Sequence, residues 1–163
     1  MAEIAKEAKV SFGSVATYYG SKEELYMACI VQPVEGFIEE MLAFNTTPES
    51  SVDELHAMVR NHIKIFYVQK EYLRLIVQVT AQFECFNEAF QTINQYTVKI
   101  QTKIQELIIN RQREQQLSDG NAEKIAISYI SFLFGLRLSY ADDPTIKDWN
   151  QFAEVALRLF GPK

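Results

Sequence analysis

Apolar residues recur along this chain at the three-and-four spacing of amphipathic helices, and no stretch alternates as a half-buried strand would. Ile4, Ala5 and Ala8 mark a short helix over 2–9, broken at Lys9-Val10-Ser11. Ser11 is placed to cap a second helix over 12–19, with Val15 and Tyr19 facing inward. Gly20 ends it, and Ser21 with Glu24 forms a capping box that opens a third helix carrying Leu25, Ala28 and Cys29. Pro33 either starts a further helix or kinks a continuous one, along which Phe37, Met41 and Phe44 extend the stripe. Asn45-Thr46-Thr47-Pro48 reads as a loop, and Ser51 with Glu54 as a second capping box. Leu55, Met58, Val59, Ile63 and Phe66 then follow at helical spacing. Helices are predicted over 71–83 and 89–116, the second striped by Ile93, Ile100, Ile104, Leu107 and Ile108. Ser118-Asp119-Gly120-Asn121 is the clearest turn. Two last helices, 122–140 and 146–160, joined by Asp142-Asp143-Pro144-Thr145, are expected to pack as an antiparallel hairpin. The expectation is an all-α chain of about eight helices.

Composition supports this picture. Of 163 residues, 48% are apolar, enough for a core, and six Gly with four Pro leave few breakers. A net charge of −5 argues against coating nucleic acid by bulk charge, though not against a local contact surface. Cys29 and Cys85, in apolar surroundings and without CxxC spacing, point to buried thiols in a reducing compartment. The longest apolar run, Ile127–Leu136, is far shorter than the roughly 18–20 residues a membrane span requires. The N-terminal residues Glu3, Lys6 and Glu7 do not suit a signal peptide, so a cytoplasmic location is expected.

The chemistry is concentrated near the N-terminus. Two short helices joined by a tight turn, the second rich in small polar and aromatic residues, have the shape of a helix-turn-helix. The run from Ile4-Ala5-Lys6-Glu7-Ala8-Lys9-Val10-Ser11 through Gly13-Ser14-Val15 and Tyr18-Tyr19 to Ser21-Lys22-Glu23-Glu24-Leu25 resembles the DNA-binding signature of TetR-type transcriptional regulators. Ala5 and Ala8 permit close helix approach, and Val10 is expected to plug the turn. Ser11, Ser14 and Thr17 offer short hydroxyls, and Tyr18 reaches far enough for phosphate. Lys22 adds a cation beside free helix-start amides, and the resemblance implies a phosphate-gripping role for it. Three departures stand out. Lys9 replaces the usual turn glycine and must tolerate a left-handed or distorted backbone, Ala16 replaces a frequent tyrosine, and Phe12 sits where a polar or basic residue is common. Residues 1–27 hold three lysines against four glutamates, which lowers the expected phosphate neutralisation. The resemblance also implies a helix of about five turns ahead of Ile4. Residues 1–3 do not supply it, so the helix-turn-helix is expected to be incomplete and to bind DNA weakly unless that helix is restored.

The expected organisation is thus an incomplete TetR-like helix-turn-helix over 1–27 and a helical ligand-binding and dimerisation body over 28–163. Aromatic density in the body suggests a cavity for an apolar or amphipathic molecule, with His62, Phe66, Gln78, Gln82 and Phe86 as its expected contacts. The last two helices carry more apolar residues than one internal seam needs. Ser128, Phe132, Gly135, Leu136, Phe152 and Ala156 are the expected interface of a homodimer. His56 and His62, six apart, do not share a helix face as a metal pair would, and no metal site or cofactor is expected. Arg111, Arg113 and Glu114 read as a solvated helix end. No nucleophile–base arrangement, phosphate-binding glycine loop or HExxH motif suggests an enzyme. The reading is a ligand-responsive repressor acting on a double-stranded operator. The alternative is a helical small-molecule-binding or interaction protein that no longer binds DNA.

Overall fold

The computed structural model describes residues 1–47, 52–139 and 149–162. Within them the chain forms nine α-helices and no strand. They are α1 (Ala2–Glu7), α2 (Phe12–Tyr18), α3 (Lys22–Val31), α4 (Val34–Met41), α5 (Val52–Val68), α6 (Lys70–Ala81), α7 (Asn87–Arg113), α8 (Ala122–Ser139) and α9 (Gln151–Arg158). The Ser51 cap, Pro48, Tyr140, the 142–145 link and Ile146 lie outside the described residues.

The apolar stripes become the core. On α5, Leu55, Met58, Val59, Ile63 and Phe66 are all buried, and so are Ile93, Ile100, Ile104, Leu107 and Ile108 on α7. The 27 residues of α7 make a rod about 40 Å long, against which α3, α4, α6 and α8 pack. The body cluster runs from Ile30 to Phe160. A second, separate cluster consists of Ala5, Val15 and Leu25, with Met1 and Tyr19 against it. Val10 is 49% exposed and Ile4 43%, so Val10 does not plug the turn and Ile4 does not join the inner face.

The break at Pro33 is a helix boundary. Pro33 is the N-cap of α4, with its ring where no backbone donor is needed. The last two helices run antiparallel: Phe160, past the end of α9, packs on Tyr129 midway along α8, and Trp149, before its start, lies beside Arg137 near the end of α8. α9, however, packs chiefly on α5, not along α8. Leu136 and Ala156, expected at a subunit interface, are buried at 8% and 0% exposure within the single chain. Both thiols are exposed, contrary to expectation. Cys85 falls in the turn between α6 and α7, where no helix face hides it.

The end of α7 also differs from expectation. Arg111 is buried. It donates to the Glu114 carboxylate at 2.9 Å and to the Thr47 carbonyl at 3.2 Å. It is a strut between α7 and the segment after α4, whereas Arg113 is exposed.

Candidate functional site

The turn between α1 and α2 is a helix C-cap built on a left-handed residue. Lys9 has φ 56°. Its amide donates to the Lys6 carbonyl at 3.2 Å, and the Val10 amide donates to the Ala5 carbonyl at 3.0 Å. This pair of bonds is the Schellman arrangement, with lysine where glycine is usual. It turns the chain sharply and lets α2 start at Ser11, whose hydroxyl accepts from the Ser14 amide at 2.9 Å. One face of α2 buries Val15 alone, and the rest is open to solvent. Ser14, Thr17 and Tyr18 stand on that open side, Tyr18 at 84% exposure. The Thr17 hydroxyl donates to the Gly13 carbonyl at 2.7 Å, so it meets an outside partner as an acceptor. Lys22 is exposed at the first position of α3. The capping box forms there: the Glu24 amide donates to the Ser21 hydroxyl at 3.0 Å, and the Gly20 amide to the Glu24 carboxylate at 2.9 Å. Lys22 is therefore held on a capped helix start that directly follows α2 in the chain.

In the body, α6, α7 and α8 enclose a cavity of about 450 Å³ that opens to solvent. Its walls are apolar, with Thr80, Asn94, Thr97, Gln101 and Ser131 as polar points. An inner void of about 20 Å³ shares Ile76, Ile93, Thr97, Ile130 and Phe134 with it and reaches Val34, Phe37, Ile38 and Met41 of α4. Of the five residues expected to touch a ligand, only Phe66 lines this space. Gln78 and Gln82 are exposed and line neither chamber, because they fall on the outer side of α6 and just past its end. Phe86 stacks on Tyr26, ring centres 4.8 Å apart, tying the α6–α7 corner to α3.

His62, expected to touch a ligand, is buried in the core and lines neither chamber. Its Nε2 donates to the Met41 carbonyl at 2.8 Å, and its Nδ1 accepts from the Tyr129 hydroxyl at 3.1 Å. The carbonyl can only accept, which fixes the tautomer. Burial lowers the His62 pKa to about 4, the Met41 hydrogen bond opposing this in part. Burial also raises the Tyr129 pKa. The carbonyls at the end of α4 are held from several sides: Asn61 donates to Glu40, His62 to Met41, and Lys103 to Leu42 at 2.7 Å.

No family model and no curated protein matches the sequence. A solved structure does match: a bacterial regulatory protein in the tetR family from Rhodococcus RHA1, with a TM-score of 0.77 and 20% identity. The alignment covers 99% of this chain and 85% of that one. The fold is that of the tetR family. This TetR fold includes the N-terminal helix-turn-helix together with the helical body.

Within the TetR fold, α3 and α4 join the helix-turn-helix to the body. The residues that anchor the end of α4 and the segment after it were not all singled out from sequence. Lys103, Asn110 and Arg111 hold the carbonyls of Leu42, Thr46 and Thr47. Their signal was visible only as polar residues beside the α7 stripe. Among the described residues, no helix is long and apolar enough to cross a membrane, and no group of His, Cys, Asp and Glu could hold a metal ion.

Proposed function

We propose that this protein is a cytoplasmic, dimeric, ligand-responsive DNA-binding transcriptional regulator. The observation that carries the reading is the left-handed Lys9 turn, which sets α2 with Ser14, Thr17 and Tyr18 exposed, followed by Lys22 exposed at the start of α3. Such a helix fits the major groove, and two copies about 34–36 Å apart read two half-sites. Dimerisation is supported by the outer face of α8. It has no charge between Lys124 and Arg137, and Ile127, Ser128, Ser131, Gly135 and Leu138 are exposed on it. Phe132 and Phe152 are half-buried. A ligand in the body cavity would act through α4 and change the spacing of the two reading helices, the action expected of a repressor released from its operator.

A second reading has its own support. α2 carries no charged residue, and residues 1–27 are net acidic. On that reading the body binds a small molecule and the helix-turn-helix has no DNA partner. The test is selection of duplexes from a random-sequence library, followed by titration at two salt concentrations. The regulator reading expects a palindromic consensus and salt-sensitive binding, with the salt slope reduced by about one in Lys22→Gln. Recovery of no sequence above the starting pool supports the second reading.

A further inference from the structure

The open cavity and the inner void share five lining residues and so adjoin; taken together as one channel, they reach from solvent to the underside of α4. Neither chamber is lined by a charged side chain. The polar points of the outer chamber are side-chain amides and hydroxyls. The hydroxyls of Thr80 and Thr97 already donate to the carbonyls of Ile76 and Ile93, and so present acceptors. The carboxamides of Asn94 and Gln101 make no hydrogen bond among the described residues and offer both donors and acceptors at the mouth. The inner chamber, apolar apart from Tyr96 and Thr97, has room for about one water-sized body.

We infer that the channel takes an uncharged amphipath, an apolar chain bearing a hydroxyl, ester or amide head, with the head at Asn94 and Gln101 and the chain directed at α4. A carboxylate or ammonium head entering this lining gives up water without a countercharge and is rejected. The outer chamber, at about 450 Å³, lies in the range of small-molecule sites. The inner one does not accept a chain end unless a wall moves, and α4, the shortest helix lining it, supplies Val34, Phe37, Ile38 and Met41. A short ligand therefore binds with α4 in place, while a longer one binds better to a displaced α4. Only the longer one has the differential affinity that shifts an equilibrium. This coupling rests on the regulator reading, whereas the ligand class does not.

The experiment is calorimetric titration of the intact protein with n-alkanols from hexanol to tetradecanol, alkanoates and alkylammonium ions of matched length serving as comparisons. Alkanols are expected to bind about tenfold or more tightly than either ion. Asn94→Asp, at an exposed mouth position, should admit the alkylammonium series, and Ile93→Trp should close the channel while the helical circular dichroism is kept. Alkanoates binding as well as alkanols, no alkanol binding up to its solubility limit, or unchanged binding in folded Ile93→Trp would each overturn the ligand class. The same series is then added to protein bound to its selected duplex. Release by long alkanols alone supports the coupling, and release independent of length overturns it. If no duplex is selected, the regulator reading fails, and the calorimetry still decides the ligand class.

Discussion

At Lys9 the neighbours set the backbone conformation, and at His62 they set the charge state. A non-glycine residue in the left-handed region costs about 1–2 kcal/mol, and Lys9 sits there because the Schellman bonds to Ala5 and Lys6 hold it. Lys9→Gly is expected to stabilise the helix-turn-helix by about 1 kcal/mol, and Lys9→Ala, which keeps the Cβ, is expected not to. Hydrogen exchange of the α1 and α2 amides measures both. His62 stays neutral in the folded chain down to about pH 4, while in the unfolded chain it protonates near 6.5. Between those values the unfolded state binds more protons. Its contribution is thus fully present above 6.5 and is lost as pH falls toward 4, by on the order of 3 kcal/mol. Urea midpoints at pH 7 and pH 5 should differ more in the parent than in His62→Gln. Equal differences would remove His62 as the cause.

At the scale of elements, the end of α4 is fixed through its backbone. Lys103 donates to the Leu42 carbonyl and lies 4.7 Å from the centre of the Phe44 ring, a half-buried cation at the negative end of a helix. Lys103→Met keeps the aliphatic stem and loses the donor. A loss of about 1–2 kcal/mol in urea unfolding is expected. The legible and illegible parts of α7 separate along this line. Its isoleucine stripe was readable because burial of a helix face repeats at a fixed period. Arg111 was not, because whether an arginine at a helix end is solvated depends on what the chain brings over it. Here that is Thr47, 64 residues earlier. The cavity lining was illegible for the same reason: Gln78 lies next in sequence to the lining residue Val77 but one position around the helix, on the outside.

For the whole molecule the sharpest test is assembly. Leu136 is core, so charging it would unfold the chain and say nothing of dimerisation. Gly135 is the better probe, since a Cβ built there meets nothing within 4 Å. Gly135→Glu is expected to leave the helical content unchanged and convert a dimer to a monomer in light scattering, because a charge in the middle of an apolar two-fold seam has no partner. A variant that remains dimeric places the interface elsewhere.

The sequence by itself determined the helices, most of their inward stripes and the cap at Ser21. Each depends on interactions within a few residues, where spacing along the chain is spacing in space. Only the tertiary structure decided that His62 bridges α4 to α8, that Leu136 and Ala156 are core, that both cysteines are exposed, and that an open cavity lies between α6, α7 and α8 with a small void beside it under α4. Those facts depend on which of several apolar faces meet. Hydrophobic burial is nondirectional, so a face's composition shows that it will be covered and leaves the covering partner to packing across the whole chain.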